Sequence, residues 1–206
     1  RGICRMKAVF LDRDGVINRI VYHHEIGVID TPFTVEQFEL LPGVGEAISS
    51  LNAIGFKVVV VSNQPGVAKG HFSPETLEAM HEKMRGLLAA QGARIDAVYY
   101  CPHHPEEGTP PYRTRCNCRK PEPGLLLQAA GDMGLDLKES YMVGDSITDI
   151  QAGERAGCRT LLVGRAKCDL CRLLDEMNVV PGCIVRSLLE AAKFIGEKEG
   201  LGCRSS

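Results

Sequence analysis

The sequence predicts an α/β protein built on an open, doubly wound parallel sheet. Three observations carry that prediction. Short apolar runs recur, among them Ala8 to Leu11 and the four consecutive valines within Phe56 to Val61, and such runs suit strands buried on both faces. The runs end in polar residues and a glycine, as in Asp12-Arg13-Asp14-Gly15, Ser62-Asn63-Gln64-Pro65-Gly66 and Gly144-Asp145-Ser146. Between them lie segments with helical spacing of apolar residues, the alternation that parallel crossovers require.

The 206 residues suit one domain, 1–206, with a core over 7–195 and an inserted loop at 101–118. No run approaches the roughly 18 apolar residues that span a bilayer. No secretory signal is expected, because residues 1–7 are short and basic and the apolar run behind them ends in carboxylates. Met6 is the expected start, with Arg1 to Arg5 an extension. The net charge of −2 argues against a surface-wide nucleic-acid footprint. Nine cysteines, an odd number, point to a reducing compartment, hence the cytoplasm, with metal-bound and free thiols rather than a disulfide framework. A monomer without nucleic-acid or membrane partners is expected.

Ala8 to Leu11 is the first strand, and the chain is organised around the two carboxylates at its end. In near-extended backbone, residues two apart point the same way, so Asp12 and Asp14 should face one spot. That spot lies off the carboxyl end of a central strand, where open α/β sheets place ligands. Two close carboxylates repel unless a cation or proton lies between them. The pair therefore reads as a Mg²⁺ site with a nucleophile and an acid/base; the alternative is an acidic turn with an aspartate cap.

Arg19 to Phe38 lacks helical periodicity and reads as a long loop over the site. Its His23 and His24 read as substrate contacts or, more simply, as a solvated pair. Val44, Ala47, Ile48, Leu51 and Ile54 mark a helix that Gly55 ends. The valine-rich strand Phe56 to Val61 runs into Ser62, a hydroxyl suited to a phosphate, with backbone N–H groups near Gly66. An ordinary polar turn is the alternative. Ser73 caps a helix that starts at Pro74 and runs to about Gln91, and Ile95 to Tyr100 is a third strand.

Cys101, His103, Cys116 and Cys118 flank a Pro- and Gly-rich loop with almost nothing to bury. Three thiols and an imidazole make a closed tetrahedral zinc site, a structural staple. His104 is an alternative ligand, but His103 shares a direction with Cys101 in an extended segment. Arg119 and Lys120 come directly after the last ligand, two cations free to address an anion. Leu125, Leu126, Ala129 and Met133 mark the next helix. The strand from Ser140 to Gly144 leads into Asp145, a third carboxylate at a strand's end and the natural further ligand for Mg²⁺. Asp149, one turn on, supports Asp145 or the turn. Arg159 to Val163 is the fifth strand. Cys168 and Cys171 look like half of a metal knuckle, yet they and Cys183 and Cys203 read as packing or free thiols. Ile184 to Ile195 reads as a short strand or loop and a helix, and Glu197 to Ser206 as a frayed tail.

Taken in order, Phe10-Leu11-Asp12-Arg13-Asp14-Gly15, Ser62-Asn63, Arg119-Lys120-Pro121 and Gly144-Asp145-Ser146-Ile147-Thr148-Asp149 resemble the four motifs of haloacid dehalogenase-superfamily phosphatases, over residues 7–163. The cysteine-bearing loop narrows the resemblance to the subgroup of heptose-bisphosphate and histidinol-phosphate phosphatases. The loop Ile26 to Phe38 and the segment after Val163 depart from that pattern. The resemblance implies a Rossmann-like sheet of the haloacid dehalogenase type without a separate cap domain. It implies that Asp12 is the nucleophile and Asp14 the acid/base. Mg²⁺ would be held by Asp12, Asp145 and the Asp14 backbone carbonyl. Ser62 and Lys120 would bind phosphoryl oxygens, and Arg119 a second phosphate. Ile20, Val21, Tyr22 and His23, Ser62, Asn63, Gln64 and Pro65, and Ser146 would border a sugar phosphate. The implied reaction is loss of the 7-phosphate from a heptose 1,7-bisphosphate. The competing readings are histidinol-phosphate hydrolysis, a DNA 3′-phosphatase and a non-catalytic zinc-binding module.

Overall fold

The structure is a computed structural model that describes residues 6–164 and 179–199. Cys168, Cys171 and Cys203 lie outside the described residues. In chain order the elements are β1 (Ala8–Leu11), β2 (Val21–His23), β3 (Val28–Asp30), α1 (Val44–Ala53), β4 (Lys57–Asn63), α2 (Gly66–Lys69) and α3 (Pro74–Ala89). Next come β5 (Ala97–Cys101), α4 (Gly124–Met133), β6 (Tyr141–Gly144), α5 (Ile147–Ala156), β7 (Arg159–Val163), β8 (Cys183–Val185) and α6 (Leu188–Lys198).

Six strands form one sheet in the order β5-β4-β1-β6-β7-β8, and every pairing is parallel. All four residues of β1 are fully buried. Ala8 and Phe10 point into a cluster with Val59, Val61, Met142, Leu126 and Ala129. Val9 and Leu11 point the other way, into a cluster with Val58, Val60, Val143, Ile48, Leu51 and Ile195. Two cores, one on each face, are what an unbroken apolar strand requires. Each large side chain buried this way contributes about 1.5–3 kcal/mol. A charge at Phe10 would have no partner and would break the centre of the sheet.

From β1 the chain winds outward to β4 and β5 on one side, then returns to β6 and continues to β7 and β8 on the other. The winding reverses between β1 and β6. Because the strands are parallel, their carboxyl ends share one edge, and a crevice opens there at the reversal. Among the described residues no separate domain stands over that edge, and no helix is long and apolar enough to cross a membrane.

Three expectations are corrected. The loop Arg19 to Phe38 contains an antiparallel hairpin, with Val21 paired to Asp30 and His23 to Val28. Its strands are three residues long and largely exposed, too short to print an alternating pattern. The polar turn after β4 winds into the four-residue helix α2, likewise below the reach of periodicity. The expected frayed tail begins as structure: Glu197 and Lys198 complete α6, and Glu199 is ion-paired to Lys7 and accepts from Tyr141 Oη at 3.2 Å. Residues 200–206 lie outside the described residues.

Candidate active site

The carboxyl ends of β1, β4 and β6 converge on one cleft of about 310 Å³. Asp12, Asp14, Asn63, Pro65, Lys120, Asp145, Ser146 and Asp149 line it, with Ile20, Ile29, Asp30, Thr31 and Thr148.

Asp12 is fixed by the sheet itself: its backbone N–H donates to Val143 O at 2.9 Å, continuing the β1–β6 ladder. Gly15 makes the turn possible. It holds φ +79°, and a Cβ there would lie 2.1 Å from Asp145 Oδ2. Only glycine allows the β1 turn to close against Asp145. Gly144 permits a similar approach, since a Cβ would lie 2.2 Å from that of Asp149.

Lys120 arrives from the loop between β5 and α4. Its Nζ lies 2.7 Å from Asp12 Oδ1, 2.5 Å from Asp149 Oδ1 and 2.8 Å from Val61 O. Its backbone is clamped from both sides by Asn63, which accepts from Lys120 N at 2.9 Å and donates to Lys120 O at 3.0 Å. Burial opposes the ammonium charge, but Asp12 and Asp149 outweigh it and hold Lys120 above the usual lysine range. Burial raises Asp12 to about 6 against the pull of Lys120, and the charges of Asp149 and Asp14 add to the rise. Enclosure by the surrounding protein, then the charges of Asp12 and Asp149, raise Asp145 to about 7, although this residue still opens to solvent.

Asp14 turns away from that cluster into a cage of donors. Asn18 Nδ2 reaches its Oδ1 at 2.9 Å, Thr31 Oγ1 reaches Oδ1 at 2.6 Å, and Gln64 Nε2 reaches Oδ2 at 2.7 Å. Arg13 Nη2 lies 3.1 Å from both oxygens. Burial pushes the carboxyl up, but the Arg13 charge and these hydrogen bonds prevail and hold it below the ordinary carboxylate range.

The third clustered carboxylate is Asp149, not that of Asp14. Asp12, Asp145 and Asp149 each offer an oxygen, all within 4.8 Å of one another. Asp149 accepts no hydrogen bond from Asp145 but holds the turn, the other role expected of it. It accepts from Ser146 N at 3.1 Å and Ser146 Oγ at 2.7 Å, closing a capping box at the start of α5. Three carboxylates against one ammonium leave an excess of negative charge on hard oxygen donors, and a divalent cation fits that set. The second group, Cys101, His103, Cys116 and Cys118, is also assembled. Its sulfur–sulfur separations are 3.1, 3.2 and 3.5 Å, with His103 Nδ1 3.3 Å from Cys118 Sγ and 3.6 Å from Cys101 Sγ. A tetrahedral ion with sulfur bonds of about 2.3 Å has edges only slightly longer. His104, the alternative ligand, instead accepts from Glu106 N and Glu107 N.

The other expected contacts divide. Ile20, Asn63, Pro65 and Ser146 line the cleft. Ser62 and Gln64 are buried behind its wall, with Gln64 Nε2 donating to Ser62 Oγ at 2.8 Å. Val21 is half-buried in the hairpin and Tyr22 is exposed. His23 is not solvated: it is buried, stacked on Phe33 at 3.6 Å between ring centroids, and its Nε2 lies 2.9 Å from Thr31 O. Tyr22 and His23 border a separate hollow with His71. Arg119 Nη1 donates to His103 O at 3.2 Å and faces an adjoining cleft that shares Lys120. The reading of the residues missed Arg13, Ile29, Asp30 and Thr31. For Arg13 a signal existed: if Asp12 and Asp14 face one way, the residue between them faces the interior. For the hairpin residues there was none, because their place depends on the hairpin.

A family model described as HAD-hydrolase-like matches residues 117–191. The D-glycero-alpha-D-manno-heptose-1,7-bisphosphate 7-phosphatase of Burkholderia mallei is 43% identical over 92% of this chain and 93% of its own. The D-glycero-beta-D-manno-heptose-1,7-bisphosphate 7-phosphatase of Escherichia coli K12 is 42% identical over 77% of this chain and 78% of its own. Among solved structures, D,D-heptose 1,7-bisphosphate phosphatase from B. bronchiseptica, complexed with magnesium and phosphate, superposes with a TM-score of 0.76 at 34% identity. That match covers 94% of this chain and 99% of the other.

Proposed function

The chain belongs to the haloacid dehalogenase-superfamily phosphatases, in the family of the D-glycero-D-manno-heptose-1,7-bisphosphate 7-phosphatases, and from that premise we propose that it hydrolyses the 7-phosphate of this heptose bisphosphate and leaves the 1-phosphate in place. The observation that carries the proposal is the convergence of Asp12, Lys120 and Asp145 at the reversal point of the sheet, in a cleft with Asp14 on its wall.

In this reading Asp12 attacks phosphorus, and the bond from phosphorus to the sugar oxygen breaks. Asp14 gives a proton to that departing oxygen. It then takes a proton from the water that attacks the aspartyl-phosphate, releasing inorganic phosphate and restoring Asp12. Asp14 rests ionised, and the arrival of a phosphate dianion beside it favours the protonated form that the first step uses. Lys120 offsets charge at the nucleophile and holds phosphoryl oxygens, while Ser62, behind the wall, anchors Gln64. A magnesium ion held by Asp12, Asp145 and the Asp14 carbonyl would supply further neutralisation between nucleophile and phosphoryl group. A zinc ion held by Cys101, His103, Cys116 and Cys118 would fix the loop that delivers Arg119 and Lys120. We assign the second phosphate to Arg119, whose cleft adjoins the reactive one at Lys120. Cys158 and Cys183, outside the zinc group and without a disulfide among the described residues, support a reducing, cytoplasmic location.

The test is phosphate release from heptose 1,7-bisphosphate, histidinol phosphate and a 3′-phosphorylated oligonucleotide. The heptose bisphosphate should give the highest kcat/KM, releasing one phosphate and leaving the 1-phosphate on the product. A higher kcat/KM for histidinol phosphate would overturn the substrate assignment.

A further inference from the structure

Among the described residues Arg13 is the largest fully buried side chain, and its charge is expensive to keep there. Its one ion-pair partner among the described residues is the Asp14 carboxylate. The rest of its surroundings are neutral. Nη2 donates to Thr31 Oγ1 at 2.6 Å and to Gln64 Oε1 at 3.0 Å. Nη1 lies 3.4 Å from His81 Nε2. Burial, then the Arg13 charge, pushes His81 down to about 3, so the ring is neutral. Its Nε2 presents a lone pair to the guanidinium, which leaves the hydrogen on Nδ1, 3.7 Å from Glu78 Oε1.

The hydrogens of this cage can be counted. The Thr31 hydroxyl has one hydrogen. Arg13 can only donate, so Thr31 accepts from Arg13 and sends its hydrogen to Asp14 Oδ1. Asn18 fills the second lone pair of Oδ1. The Gln64 amide donates to Asp14 Oδ2 and Ser62 Oγ and accepts from Arg13, so its orientation is fixed. Arg13 Nη2 also lies within hydrogen-bond distance of both Asp14 oxygens, at 3.1 Å. Oδ1 of Asp14 thus meets three donors, from Asn18, Thr31 and Arg13, and Oδ2 only two, from Gln64 and Arg13, which leaves Oδ2 the more open oxygen.

We propose that Thr31, backed by Arg13 and Gln64, is a positioning residue that orients the Asp14 carboxylate so that Oδ2, its more open oxygen, exchanges protons with the leaving oxygen and with water. Thr31 comes directly after β3, so the hairpin that borders the cleft also sets the acid/base. This inference rests on the acid/base role given to Asp14 above.

The test compares Thr31→Val, Thr31→Ser and Asp14→Asn on two substrates. One is the heptose bisphosphate, whose alkoxide leaving group needs a proton. The other is p-nitrophenyl phosphate, whose phenolate leaves without one. On the sugar, Thr31→Val should lower kcat by on the order of 10- to 100-fold with KM within about twofold, since misplacement by about 1 Å costs that much. On p-nitrophenyl phosphate it should give a burst of about one nitrophenolate per chain and then a slow phase, because only the hydrolysis of aspartyl-phosphate still needs Asp14. Thr31→Ser should restore kcat and abolish the burst. If Thr31→Val does not fold, Thr31→Ala carries the same readout without a methyl against Arg13. Wild-type kinetics for the hydroxyl-free variant, or equal losses on both substrates without a burst, would overturn the proposal while Asp14→Asn remains impaired. A fully active Asp14→Asn would instead overturn the acid/base assignment itself.

Discussion

Lys120 Nζ sits 2.7 Å from Asp12 Oδ1, although the two residues lie 108 positions apart. Both are buried, and Asn63 grips the lysine's backbone through its N–H and its carbonyl. The nucleophile candidate thus has an internal counter-ion delivered from another segment. Removing that ammonium strands Asp12 and Asp149 as two buried carboxylates. Lys120→Met is expected to lower kcat by at least about 100-fold and to lower Tm, read by phosphate release and thermal melting. A variant with wild-type turnover would remove Lys120 from the mechanism.

Asp12→Asn keeps the shape of the side chain and removes the attacking charge. Turnover should fall by several orders of magnitude while far-UV circular dichroism stays unchanged. Retention of more than about a tenth of the wild-type rate would rule out covalent catalysis through this residue.

The carboxylate cluster makes a prediction about pH and metal together. Asp12 near 6 and Asp145 near 7 both stand above the value of about 3.9 for an unfolded aspartate. Between about pH 4 and 7 these two carboxyls therefore hold more protons in the folded, metal-free chain than in the unfolded one. Their contribution to stability falls as pH rises through that window. A divalent cation needs both groups ionised, so its stabilisation grows as pH rises. Magnesium should raise Tm more at pH 7.5 than at pH 5.0, and EDTA should abolish turnover. Equal Tm gains at the two pH values would place the ion elsewhere.

The sulfur-rich group predicts a separation of stability from chemistry. All four tetrahedral positions are protein atoms, so no position remains for water or substrate. Elemental analysis should find one zinc per chain under reducing conditions. Cys116→Ala should lower zinc content and activity while the circular dichroism of the sheet persists. Full activity of that variant would show that the loop is held some other way.

The strands were legible because burial on two faces leaves continuous apolar runs: Ala8 to Leu11 and Arg159 to Val163 match their observed bounds residue for residue. Asp12, Asp145 and the zinc-like quartet were legible because their chemistry is local, carried by residue type and by position at a strand's end. What escaped depends on partners remote in sequence. Asn63 reads as a sugar contact until Lys120 is seen between its amide nitrogen and oxygen. Asp149 reads as support for Asp145 or the turn, and it does hold the turn, but its contact with Lys120 has no trace in the sequence. Thr31 belongs to a loop whose hairpin leaves no periodic trace.

The placement of β1 between β4 and β6 has a consequence for biosynthesis. Leu11 aligns with Val143, and the Asp12 N–H closes on that same valine's carbonyl. Asp12, the proposed nucleophile, is therefore synthesised well before its docking partner Val143. Until β6 is made, one edge of the wholly apolar strand β1 stays unpaired, and Asp145 cannot reach Asp12. During that interval the open edge of β1 is the surface that a chaperone would have to shield.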